Sequence, residues 1–249
     1  MNKKTTISVS IWLVLGLLSG LIFLNLTTTK SLPDILENAS PSVVNIWSMK
    51  KWKAWQERSN LLGFKRYQQV IKTGFFPNGS GVVFDTDGKI VTNYHVIKEA
   101  FKNNQKLIIE LNSGEINEAV ILGFNESADI AVIQTISNLN LKPLKIKKNI
   151  DDLRVGEQVI AIGNPQGLGK SFSMGIVSAI NRQFKNVNGS FIQTDASINP
   201  GNSGGALIDR EGNLIGITNL IETTSGGSQG LNFAIPIDEV LKIYNEIIN

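Results

Sequence analysis

The run Gly201-Asn202-Ser203-Gly204-Gly205 is the strongest chemical signal in the chain. A nucleophilic serine needs its hydroxyl exposed on a tight turn, with backbone N–H groups converging on one point. Glycines allow such a path because they reach dihedrals that other residues avoid. On that turn the N–H groups of Gly201 and Ser203 would hold a developing oxyanion, each donor being worth roughly 2.7–4 kcal/mol in the transition state. Taken alone, a run of this kind is usually an ordinary flexible turn. A serine also needs a base, and His95 is the only histidine available. It lies in Thr92-Asn93-Tyr94-His95-Val96-Ile97, after a β-run and before a short helical stretch, Val96–Phe101. An imidazole is in turn oriented by an acid, and Asp129 stands in Ser127-Ala128-Asp129-Ile130-Ala131-Val132-Ile133 at the start of a buried-looking strand.

Residues so far apart in the chain act together only if a fold joins them, and the surrounding elements read as short strands. Gly81–Phe84 and Lys89–Thr92 flank Asp85-Thr86-Asp87-Gly88, a hairpin signature. Leu107–Leu111 and Ala119–Phe124 flank Asn112-Ser113-Gly114, and Gly205–Ile208 and Leu214–Thr218 flank Asp209–Asn213. Gln158–Ile162 and Phe191–Thr194 are further β-rich runs. Only Ile237–Ile248 has clear helical spacing, with Val240, Leu241, Tyr244, Ile247 and Ile248 on one face. Ser31–Ala39 reads as a short connecting helix or linker. Many short strands with a terminal helix predict an all-β barrel or sandwich. Strands do not alternate with long helices, which excludes a doubly wound sheet.

Composition narrows the chemistry. The 249 residues, 42% hydrophobic, suit one large domain or two small ones with a real core. The lack of cysteine excludes a disulfide scaffold, a thiolate metal site and a thiol nucleophile. A single histidine excludes zinc sites that need two imidazoles, and no metal or other cofactor is expected. The net charge of +3 is local in origin. Lys50–Lys72 holds seven basic residues against Glu57, together with Trp52, Trp55, Phe64 and Tyr67, leaving about −3 for the remainder. Its plain reading is a solvated insertion loop; contact with a membrane surface or a partner is the functional one, and nucleic acid is not expected. Ile7–Leu26 carries no charge, and at ~1.5 Å per residue it spans roughly 30 Å, a bilayer's hydrocarbon thickness. No Ala-x-Ala-like site follows it. Residues 1–30 are therefore expected to be an uncleaved transmembrane anchor, with Lys3 and Lys4 cytoplasmic, the rest exported and a linker over 31–41.

The order His95, Asp129, Ser203 is the triad order of chymotrypsin-like proteases. With Gly79-Ser80-Gly81-Val82-Val83-Phe84, Ile162-Gly163-Asn164-Pro165, the segment 193–205 and Asn232-Phe233-Ala234-Ile235-Pro236, it makes Ser42–Pro236 resemble the HtrA/Deg (DegS-like) family of trypsin-fold serine proteases. The resemblance implies two six-stranded antiparallel β-barrels, about 42–140 and 150–236, within a protease domain 42–249 closed by a helix over 237–248. It implies a serine endopeptidase of misfolded or regulatory exported polypeptides, with Ser203 as nucleophile, His95 as general base and Asp129 holding the imidazole tautomer. Gly201 and Ser203 would supply the oxyanion hole. Ile198 and Leu231 match the apolar specificity pocket, which implies small or medium aliphatic residues before the scissile bond. Ser197 is not the acid that a Lys/Arg preference needs, and Glu222 departs from the family's frequently apolar residue. Asn202 stands where a zymogen-type protease has an aspartate, so activation by N-terminal insertion is not expected. Arg182 matches a loop arginine of the family's activation relay, though no PDZ domain is expected after the terminal helix. A homotrimer in a bacterial inner membrane, with the protease domain in the periplasm, completes the expectation.

Two rivals stand beside it. Asn164-Pro165-Gln166-Gly167-Leu168-Gly169-Lys170-Ser171 resembles a phosphate-binding P-loop, though its first glycine position is Asn164. The other rival is a catalytically silent, protease-like chaperone or binding module.

Overall fold

The computed structural model describes residues 16, 30–59, 63–137, 139–164, 169–184, 187–219 and 230–249. The apolar run Ile7–Leu26, expected to be the anchor, lies outside them apart from Gly16. Among the described residues no helix is long and apolar enough to cross a membrane.

Helix α1 (Leu32–Ala39) opens on a capping box. Ser31 caps Asp34 N–H, and the Asp34 carboxylate accepts from Ser31 N–H at 3.2 Å. A 3-10 turn (Ser40–Ser42) leads into strands β1 (Val43–Ser59), β2 (Lys65–Val83) and β3 (Lys89–Thr92). Helix α2 (Tyr94–Lys102) then precedes β4 (Leu107–Glu110), β5 (Ile116–Asn125) and β6 (Ile130–Thr135). These six strands close an antiparallel barrel in the order β1-β2-β3-β6-β5-β4. The second set is β7 (Gln158–Gly163), β8 (Ser171–Phe184), β9 (Val187–Thr194), β10 (Ala206–Asp209), β11 (Leu214–Asn219) and β12 (Asn232–Pro236). They close a second barrel in the order β10-β11-β12-β9-β8-β7, and α3 (Ile237–Ile248) follows.

The apolar residues of the facing strands run consecutively rather than alternately, because both faces of those strands are buried. Successive side chains point to opposite sides. Thus Val44, Val83, Ile90, Ala131 and Ile133 fill the first barrel, and Val159, Ala161, Leu207 and Ala234 fill the second. Their neighbours Val43, Val82, Val91, Val132, Ile160 and Ile208 form one shared layer between the barrels. A strand with one solvated face would have needed polar residues at every second position.

The predicted Asp85–Gly88 hairpin is present. The Asp85 carboxylate accepts from Asp87 N–H and Lys89 N–H, both at 3.0 Å. The basic segment 50–72 departs from the loop expectation. Its residues continue the β1–β2 pairing without a break as far as Ser59↔Lys65. Aromatic and β-branched residues spaced along both strands favour that ribbon over a loop.

Helix α3 follows the second barrel but packs back on the first. Tyr244 Oη donates to Asp85 Oδ2 at 3.0 Å, and its ring lies 4.9 Å from that of Phe84. A Cβ on Gly123 would come within 2.7 Å of Ile247, so any side chain there would push Ile247 aside where β5 meets the helix. The start of the chain is tied in as well: Ile35 and Ala39 join the shared layer, and Lys170 Nζ donates to the Ser40 carbonyl.

Two outcomes follow. Tyr244→Phe keeps the ring but loses a hydrogen bond to a carboxylate, so it should lower unfolding free energy by about 1 kcal/mol in denaturant titration. Burial pushes the Lys170 ammonium down from 10.5 to about 8. Between those pH values the unfolded chain holds the proton more tightly, so this group's contribution to stability rises with pH across that window. Lys170→Met should flatten that part of a pH–stability curve.

Candidate active site

His95 occupies the first turn of α2, immediately after β3. The turn is fixed from both sides. Asn93, the N-cap, donates from Nδ2 to Asp129 O at 3.0 Å, and Asn78 Nδ2 donates to Val96 O at 3.0 Å. Asp129 ends the turn before β6, with φ at 55° in the left-handed region that aspartate tolerates better than most residues. Asn125 shapes that turn by accepting from Ser127 Oγ at 2.7 Å and Ala128 N–H at 3.1 Å.

The acid and the imidazole are paired. Asp129 Oδ2 lies 2.7 Å from His95 Nδ1, and Asp129 Oδ1 accepts from His95 N–H at 2.9 Å. An ionised Asp129 demands the proton on Nδ1, which leaves Nε2 free to accept one. A third donor comes from the other barrel: Asn219 Nδ2, at the end of β11, donates to Asp129 Oδ2 at 3.1 Å. The unbroken burial of β11 gave no sign of that role, and Asn219 was not among the expected site residues.

Ser203 sits on a glycine turn of the second barrel. Gly201 and Gly204 have φ of 99° and 79°, values that L side chains rarely adopt. The turn is closed by Asn202 N–H to Asn199 O and by Gly205 N–H to Asn202 O, both 2.9 Å. Thr218 Oγ1 donates to Asn202 O at 2.6 Å. A Cβ on Gly204 would lie 2.2 Å from Thr92 Oγ1 and 2.3 Å from Ser80 O, so the turn presses against the strand end that leads to His95. Ser80 locks it there. Its N–H donates to Ser203 O at 2.9 Å and its hydroxyl donates to Gly201 O at 2.8 Å. That same hydroxyl accepts from Asn164 N–H at 3.0 Å.

Among the described residues, the N–H groups of Gly201 and Ser203 donate to no protein acceptor, and no hydrogen bond joins the Ser203 hydroxyl to His95. The structure therefore holds a closed acid–imidazole pair, beside a serine positioned through its backbone alone.

The other expected residues are placed less uniformly. Ile198 is fully buried in the core of the second barrel, and its N–H donates to Asn232 Oδ1 at 3.3 Å. Leu231 is half exposed. Glu222 lies outside the described residues. Arg182 is exposed on β8 after Asn181, whose φ is 55°, and its Nε donates to Gln193 Oε1 at 2.9 Å. The P-loop reading is overturned. The stretch joins strand β7 to strand β8, where a P-loop needs a helix, and Lys170 is committed to the Ser40 carbonyl.

Comparison with known proteins agrees with this fold. Residues 79–217 match the trypsin-like peptidase domain family. A probable periplasmic serine endoprotease, DegP-like, from Buchnera aphidicola subsp. Baizongia pistaciae is 41% identical over 88% of this chain and 49% of its own length. The periplasmic pH-dependent serine endoprotease DegQ of Escherichia coli K12 is 39% identical over 88% of this chain and 48% of its own. The chain thus spans about half the length of such curated relatives. The solved structure of the HtrA-type protease AlgW with a decapeptide superposes with a TM-score of 0.76 at 34% identity, covering 88% of this chain and 68% of that one. The matched blocks include the strand ends and turns that carry His95, Asp129 and Ser203, and the chain belongs to the HtrA-type family of trypsin-like serine peptidases.

Proposed function

We propose that this protein is a serine endopeptidase acting on exported polypeptides, and that His95, Asp129 and Ser203 are its triad. The observation that carries the reading is the His95–Asp129 pair held beside the Ser203 turn by contacts from both barrels. Ser203 Oγ attacks the peptide carbonyl carbon while His95 Nε2 takes the hydroxyl proton. The oxyanion that forms is received by Gly201 N–H and Ser203 N–H. As the C–N bond breaks, the imidazolium returns the proton to the leaving amine. Water then hydrolyses the acyl-enzyme by the same route and frees Ser203. Asp129 fixes the tautomer and faces the imidazolium, and Asn219 holds Asp129.

The lack of a hydrogen bond between Ser203 and His95 among the described residues is compatible with this chemistry, since such bonds often tighten only when substrate docks. It also favours a second reading, a protease-like module that binds without cleaving. The periplasmic names of the relatives and the uncharged run Ile7–Leu26 support a membrane-anchored protease domain outside the cytoplasm. Apolar Ile198 and Leu231 support small or medium aliphatic residues before the scissile bond. A homotrimer belongs to the same reading and is checked by sedimentation velocity of the detergent-solubilised chain.

Fluorophosphonate labelling of the full chain decides between cleavage and binding. An adduct on Ser203 is expected, and no adduct would establish the binding module. Ser203→Ala should lower casein cleavage by at least about 10³-fold with an unchanged melting temperature. Asn219→Ala removes a donor to the acid, and should lower kcat/KM by roughly tenfold, equivalent to about 1.4 kcal/mol.

A further inference from the structure

The outer part of the β1–β2 pair has no role in the chemistry above. Strand β1 pairs with β4 only over Asn45–Ser48, and β2 pairs with β3 only at Val82 and Val83. Beyond those points the two strands run on as a free ribbon, from Lys50↔Gly74 to Ser59↔Lys65. At ~3.3 Å per residue it projects roughly 30 Å from the barrel. A lone two-stranded ribbon is marginal in water.

Cross-strand partners share a face, so the register sorts the side chains. On one face Trp52 packs edge-on against Phe76 at 5.5 Å and covers Gly74, and Lys50 Nζ lies 5.3 Å from the Phe76 ring centre. The two rings cover each other in part, leaving Trp52 41% and Phe76 38% exposed. The opposite face carries Trp55, Tyr67, Ile71 and Phe75, which are 69%, 64%, 71% and 54% exposed. Lys51, Lys53 and Lys65 stand among them. The ribbon's one acid, Glu57, is already matched by Lys65 at 2.9 Å and by Tyr67 Oη at 3.1 Å.

We propose that this second face docks on an anionic lipid bilayer, with Trp55, Tyr67, Ile71 and Phe75 at the headgroup–acyl boundary and the lysines on lipid phosphates. The proposal rests on the reading that the domain works beside a membrane outside the cytoplasm. Charge complementarity selects the occupant. The segment 50–72 carries +6 on a body of about −3, a net +2 of it on this face from Lys51, Lys53 and Lys65 against Glu57, so an anionic surface attracts the ribbon more than the rest of the domain. A second copy would bring an equally cationic ribbon against it. A nucleic-acid strand would find phosphate partners but no stacking use for Ile71.

The chain lacks cysteine, so a single introduced thiol reports on one site. Full-length Ile71→Cys and Gln68→Cys proteins carry a nitroxide on opposite faces of the ribbon, and each is mixed with phosphatidylcholine vesicles with or without one-third phosphatidylglycerol. Accessibility of the position-71 label to a water-soluble nickel reagent should fall roughly fivefold with the anionic vesicles only, while position 68 changes little. Lys51→Glu with Lys53→Glu, or high salt, should restore it. Equal accessibility in both vesicle types would overturn the proposal. So would protection that follows protein concentration without lipid, which would indicate a second copy, or protection by a DNA duplex alone. Fluorophosphonate labelling of Ser203 in the same samples keeps failure of this inference separate from failure of the protease reading.

Discussion

The placement of one barrel on the other, at the point where chemistry is proposed, turns first on the buried Ser80. Its N–H and hydroxyl hold the carbonyls of Ser203 and Gly201, its hydroxyl also receives Asn164 N–H, and its own carbonyl accepts Thr92 Oγ1 at 2.7 Å. Every polar group of the residue is used, with no exposure to water. Buried polar groups are costly to leave unmade, so the contact admits little sliding. Gly79 serves the same closeness, since a Cβ there would come 2.9 Å from Ser203 O; one on Gly81 would come 2.6 Å from Ile90, inside the first barrel.

Around that point the shared layer is apolar, and the two kinds of contact divide the work. Apolar packing of Val82, Val91, Ile160 and Ile208 supplies affinity between barrels without direction. The Ser80 and Asn219 hydrogen bonds supply direction. Asp129 shows what such direction demands: its backbone lies in the left-handed region while its carbonyl and carboxylate are both engaged. A residue held so tightly in an uncommon conformation is characteristic of sites where geometry outranks comfort.

Much of this was legible in the sequence, for identifiable reasons. Hairpins such as Asp85–Gly88 announce themselves through local turn chemistry, and α3 through its apolar spacing. The His95–Asp129 pair could be expected from residue types and order, together with the family likeness. The β1–β2 ribbon was misread as a loop, because its polar and aromatic residues face water on both sides and leave no buried pattern to detect. Asn219 and Ser80 escaped notice as positioning groups because their partners lie in the other barrel. A single sequence records which residues are present, while cross-barrel partners are set by closure of the whole fold.

Helix α3 has a consequence for the order in which the molecule becomes competent. It is made after the second barrel, yet it closes against β5 and the β2–β3 hairpin of the first, through Ile247 and Tyr244. A nascent chain that has produced both barrels but not this helix still lacks the clasp that returns the end of the fold to its beginning. Full closure of the two barrels on each other is thereby tied to formation of this helix as well as to their shared apolar layer.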